Sequence, residues 1–242
     1  MTLVGPDHGM YTSKIRPQDQ QVIDDLTQPP NWDYPQWRRV LIALATAGNG
    51  NFVPAHHRPE TINLQVWETE AAALNRETLK DGLERATPIL VDTEKKALIG
   101  GKRTVGTHGG VVFDKTPQPG KEQFQRCIGT IHTHPFDIAT PMMGGSDYLA
   151  FLPDASQIAM MMAWGGFRVL VVKTSVTPNN ISSDLLKRRL AAYEEELDII
   201  DNENIGKKYI EYNKMICTEF GLVLYLGDEK QGGLVKRIEV TK

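Results

Sequence analysis

The sequence predicts an α/β fold, a mixed β-sheet flanked by helices, and three observations carry that reading. Short apolar, β-branched runs fill the middle of the chain: ILVD at 89–92, CIGTIHTH at 127–134, IAMMMAW at 158–164 and FRVLVVKTS at 167–175. Stretches with helical composition flank those runs on both sides, the arrangement of a layered α/β sandwich. With 242 residues and 40% hydrophobic content, the chain can bury a sizeable core.

Each element follows in order. Residues 1–35 are polar and hold Pro6, Pro17, Pro29, Pro30 and Pro35, which predicts an extended, partly irregular lead-in. Residues 1–60 then form an N-terminal extension, and 61–242 the main domain. QWRRVLIALATA at 36–47 predicts a helix closed by Gly48-Asn49-Gly50. A loop with His56, His57 and Pro59 precedes TINLQVW (61–67), which reads as a strand. Residues 69–86 have helical composition and stop before Pro88. ILVD, KALIGG (96–101) and GGVVFD (109–114) read as short strands before a Pro/Gly loop at 115–121. The strand 127–134 is stopped by Pro135, and SDYLAFL (146–152) reads as a short helix ended by Pro153. IAMMMAW and FRVLVVKTS form a hairpin across Gly165-Gly166.

Toward the C-terminus, Leu186, Leu190, Tyr193, Leu197 and Ile200 share one helix face, as do Ile205, Tyr209, Tyr212 and Ile216. The polar 201–204 between them predicts a helical hairpin over 182–220, its apolar stripes packed on the core. GLVLYLG (221–227) and LVKRIEV (234–240) read as two closing strands.

The charge balance, 27 basic against 30 acidic side chains, excludes a mainly electrostatic binder of nucleic acid or membranes. No run approaches 18 apolar residues, and the first residues lack signal-peptide architecture, so the expectation is a soluble cytoplasmic chain. Cys127 and Cys217 form neither a disulfide framework nor a metal knuckle, and both read as buried thiols rather than nucleophiles. HExxH, GxSxG and GxxxxGK[ST] are absent; GGKRTVG at 100–106 lacks the Ser or Thr after its lysine.

The chemistry concentrates in Ile131-His132-Thr133-His134-Pro135 and Gly144-Gly145-Ser146-Asp147. On a strand, residues i and i+2 point to one face, so His132 and His134 can converge on one ion, with Thr133 facing away. Pro135 ends the strand where a cleft can open. A carboxylate from the following helix would be a third ligand and leave a fourth position open, as in catalytic rather than structural zinc sites. The adjacent His56-His57 pair reads as a surface pair.

This pattern resembles the JAMM (MPN-plus) metallopeptidase motif: H-x-H-P, a loop, then S-x-x-D, with a glutamate on an earlier strand. The resemblance covers about 88–176 and implies a cytidine-deaminase-like, MPN-type sandwich, with the remaining residues as N- and C-terminal extensions. It also implies one Zn²⁺ per chain on His132, His134 and Asp147. The family's general base falls best on Glu94, which stands before the apolar run ending in Gly100, with Glu84 and Glu122 as weaker candidates. Two departures stand out. His134 to Asp147 is thirteen positions, two more than the family's usual gap, and the family serine falls on Gly144. Ser146 can substitute as the oxyanion donor, and as an N-cap it would place Asp147 at the helix's first position.

The resemblance implies zinc-dependent hydrolysis of an amide or isopeptide bond. The partner would be a ubiquitin-like or other small protein with an extended C-terminal tail, held as an added strand. Met142 and Met143 in the loop 135–145 read either as an adaptable wall of that groove or as part of an ordinary surface loop. Two other readings stand beside this one: an inactive scaffold of the same fold that mediates assembly, and a virus- or defence-associated peptidase whose N-terminal region docks a partner.

Overall fold

The computed structural model describes residues 15–135, 141–163, 166–197 and 204–239. A ten-stranded mixed sheet forms the middle layer. Its strands are β1 (Asn31–Trp32), β2 (Thr61–Asn63), β3 (Arg85–Asp92), β4 (Ala97–Gly100), β5 (Thr104–Val105), β6 (Gln125–His134), β7 (Ile158–Ala163), β8 (Arg168–Lys173), β9 (Leu222–Gly227) and β10 (Leu234–Arg237). They run in the order β1-β2-β10-β9-β8-β7-β6-β3-β4, with β5 on β3. Only β1–β2 and β6–β7 pair in parallel.

Helices α1 (Pro17–Thr27), α2 (Tyr34–Ala47) and α3 (Val66–Asp81) cover one face. Their apolar residues Ile23, Trp37, Leu41, Leu44, Trp67 and Leu74 join Ile131, Met160, Met162 and Leu170 from the sheet in one buried cluster. Helices α4 (Gly145–Phe151), α5 (Ser183–Glu196) and α6 (Ile205–Glu219) cover the other. There Tyr148, Leu186, Leu190, Tyr212 and Ile216 pack on Met161, Val169, Val171 and Leu224. Alternating strand residues serve the two clusters, as the period of two requires.

Several expectations change. Residues 17–27 form a helix, not an irregular lead-in: Pro17 opens it, and Gln20–Asp24 and Gln21–Asp25 side-chain bonds brace it one turn apart. The N-terminal region is not peripheral, because Trp32 is buried and stacks on Trp37, ring centroids 5.6 Å apart. The strand expected over 61–67 stops at Asn63, and Val66 already begins α3. That helix ends at Asp81 instead of 86. Gly82 adopts φ +74° and returns its N–H to Thr78 O, an αL stop. GGVVFD forms no strand; its only ladder contact is the Thr107–Gly110 bridge. Ile200 and residues 201–203 of the hairpin's turn lie outside the described residues, as does Val240 of the last strand. No described helix is long and apolar enough to cross a membrane.

Candidate metal centre

Strand β6 is buried along nearly its whole length, between β3 and β7. Ile131 belongs to the α1–α3 side, so His132 and His134 face the α4–α6 side, as their spacing predicts. Thr133 faces away: its Oγ1 lies 2.6 Å from Thr78 Oγ1 and accepts from Arg85 N–H at 3.1 Å. Thr133 thus ties α3 and β3 to the back of the strand and has no part in the site.

Helix α4 brings the carboxylate. Gly144 is its N-cap, and the Gly144 N–H donates to Asp147 Oδ2 at 2.8 Å. Asp147 is therefore at the third helical position, and the expected Ser146 N-cap is corrected: Ser146 is the second helical residue, exposed, and lines the cavity. Gly144, at the family serine's position, is buried and offers no hydroxyl. The far side of α4 is locked by Tyr148, whose hydroxyl donates to Asn213 Oδ1 at 2.6 Å, while Asn213 Nδ2 donates to Met143 O and Tyr209 O. Met142 and Met143, read above as a groove wall or surface loop, are 3% and 0% exposed and belong to the core under α4. Residues 136–140 of that loop lie outside the described residues.

The three side chains converge. His132 Nε2 and His134 Nε2 are 3.1 Å apart; Asp147 Oδ1 is 3.3 Å from the first and Oδ2 3.4 Å from the second. A zinc ion with bonds of about 2.0–2.1 Å in tetrahedral geometry sets its ligand atoms roughly 3.3 Å apart. The histidine pair has that separation and each Asp147 oxygen stands at it from one imidazole, so the donor set fits a small divalent ion of borderline softness. Burial pushes the Asp147 carboxyl up, but the contacts with His132 and His134 outweigh it and hold the group well below the usual carboxylate range. That leaves an ionised ligand facing two imidazoles.

Around the triangle lies a cavity of about 360 Å³, lined by Glu84, Gly109, Gly110, Val111 and Phe113 on one side and by Ser146, Glu194 and Tyr209 on another. Phe113 meets His132 edge to face at 5.8 Å between centroids.

The structure does not bring Glu94, the residue the motif favours as general base, to His132, His134 and Asp147. Glu94 is exposed in the turn between β3 and β4, beside the Asp92–Ala97 pair, and Asp92 in turn pairs with Gln125. From Gln125 to His132 is seven residues along β6, roughly 23 Å at strand rise. Glu122 lies in the loop at that same remote end and accepts from Gly120 N–H. Of the three candidate glutamates, Glu84 is the one that lines the cavity. Antiparallel register sets Ala86 against His132, and Glu84, two residues earlier, keeps that face just before β3 begins. Glu84 is 6% exposed, and burial raises its pKa, with His134 and His132 opposing the rise.

The two thiols stay outside the chemistry. Burial raises Cys127, whose Sγ contacts Gly129 O at 3.3 Å, and pushes Cys217 up to about 12. Glu194 and Tyr209, from the C-terminal hairpin, had no motif to announce them; only tertiary packing brings them to the site. Comparison with protein-family models, with curated proteins and with solved structures returned no match.

Proposed function

We propose that the chain is a zinc-dependent amide hydrolase of the JAMM type, with an MPN-like sandwich and one zinc ion per chain. The observation that carries the reading is the convergence of His132, His134 and Asp147, facing a cavity that also holds a buried glutamate.

When bound, zinc supplies a Lewis acid that brings the pKa of water to about 7 and polarises a carbonyl. His132, His134 and Asp147 would hold it and leave one position toward the cavity. Glu84 takes the proton of the attacking water and returns it to the departing amine. A carboxylate raised by burial suits both steps, because its affinity for the proton is closer to neutrality. Ser146, at the cavity's edge, supplies a hydroxyl toward the developing oxyanion, replacing the serine that Gly144 lacks. The reaction needs no covalent intermediate and no thiol.

The substrate in this reading is the extended C-terminal tail of a ubiquitin-like or other small protein, cleaved at an amide or isopeptide bond in the cytoplasm. Main-chain pairing beside the cavity would give affinity without demanding large side chains.

Metal analysis and a paired substitution test it. Purified protein should carry close to one zinc per chain, and His132→Ala or Asp147→Ala should lose it. On a ubiquitin-like fusion, Glu84→Gln should lower turnover by about 10²–10⁴-fold while zinc stays bound, and Glu94→Gln should leave turnover unchanged. If Glu94→Gln is the crippled variant, the base is misassigned. Well-folded protein without zinc would favour the assembly scaffold instead.

A further inference from the structure

The cavity has more negative charge than a metal would neutralise. Glu84, Asp147 and Glu194 line it, and no Lys or Arg does among the described residues. A divalent ion would offset two of the three carboxylates. Glu194 is the one left over. Its Oε1 accepts a hydrogen bond from Tyr212 Oη at 3.2 Å, and no cationic partner stands within ion-pair distance among the described residues. It is pressed against the first turn of α4: a Cβ on Gly145 would lie 3.0 Å from Glu194 Oε1 and 3.2 Å from Tyr212 Oη.

Tyr209 adds an independent observation. It is 8% exposed and lines the cavity, yet its hydroxyl has no hydrogen-bond partner among the described residues. The ring stands edge to face with Tyr212, centroids 5.9 Å apart, which fixes its orientation. A half-buried carboxylate without a counter-charge is costly. A ligand that brings a positive charge and hydrogen-bond donors would relieve it, while the Tyr209 hydroxyl offers an acceptor and its ring cation–π attraction. The cavity volume of about 360 Å³ lies in the range of sites that enclose small groups.

We propose that Glu194 and Tyr209 form a recognition pocket for a cationic group, an ammonium or guanidinium, carried by the substrate next to the scissile amide. The proposal rests on the hydrolase reading for which bond is cut, but the pocket's charge preference can be measured without any cleavage.

The experiment is an NMR titration of the full chain, incubated with zinc, with propylguanidinium and with its uncharged isostere propylurea. Zinc content is measured on the same samples. Propylguanidinium should bind roughly tenfold more tightly than propylurea, the size of one charge-assisted hydrogen bond in a partly buried site. Its shift changes should centre on the Gly145 and Glu194 amides. Glu194→Gln, which keeps an acceptor for Tyr212, should remove most of the preference, and Tyr209→Leu should weaken cation binding. Equal affinity for the two compounds in the wild type overturns the proposal, as does a preference that survives Glu194→Gln. One zinc per chain without cation preference would sink this pocket and leave the hydrolase standing; cation preference in protein that takes up no zinc would do the reverse.

Discussion

At the scale of single residues, Gly129 and Glu84 show what the histidine strand demands. Gly129 lies in β6 opposite Ile158 of β7, and a Cβ there would meet Ile158 Cγ1 at 2.2 Å and Ile158 O at 2.7 Å. The second contact is backbone, so the strands themselves would have to separate. Gly129→Ala should therefore cost about 1–3 kcal/mol, read as a lower urea midpoint, and should weaken zinc binding by shifting the histidines downstream. A variant of unchanged midpoint and zinc affinity would show that β6 and β7 adjust freely. The histidine pair was legible because i and i+2 is a local rule. Glu84 was legible only as a weaker candidate, since its place depends on β3 pairing with β6 and on α3 stopping at Gly82. The stop signal was in the sequence, but the helical composition of 83–86 masked it. Glu94 matched the motif's local texture and lies at the wrong end of the same hairpin.

At the scale of elements, α4 decides where Asp147, the proposed third ligand, points, and it is held at both ends. Its C-terminal end rests on Lys173 of β8, which is 2% exposed. The ammonium donates to Leu152 O at 3.2 Å and Asp154 O at 2.5 Å and sits 4.7 Å from the Phe151 ring centroid. Burial lowers its pKa to about 8, Lys115 adds to the lowering, and Asp154 opposes it. An unfolded lysine titrates near 10.4, so between pH 8 and 10.4 the folded chain has released a proton that the unfolded chain still holds. Stability from this group is lowest below pH 8 and rises through that window. Relative to Lys173→Met, the wild type should gain on the order of 3 kcal/mol from pH 7 to pH 10.4, measured by urea unfolding of both proteins at the two pH values. A stability gap that stays constant with pH would mean the amine is not desolvated. The short helix was legible from SDYLAFL and Pro153, but its lysine anchor comes from a strand twenty residues away and has no local signature.

At the scale of the whole molecule, the α/β class, the central hairpin and the two C-terminal helices were legible because apolar periodicity is written locally. The division into an extension and a domain rests on composition alone. Polar composition and five prolines describe 1–35 well, yet what ties that segment to the rest is a few large side chains. Trp32 is 2% exposed on β1, which pairs with β2, and β2 pairs in turn with β10 near the other end of the chain. The cluster holding Trp32 runs from Ile23 to Val235 and includes Ile131, which precedes His132 on β6. A core shared this widely should melt as one unit. Trp32→Ala should thus lower the stability of the entire chain by about 3–5 kcal/mol, with far-UV circular dichroism and zinc release moving together in one transition. An appended extension would behave differently: its loss would leave the main transition and zinc release in place. If Trp32→Ala shows that second pattern, residues 15–60 are an accessory to the domain that carries the proposed metal site and not part of its core.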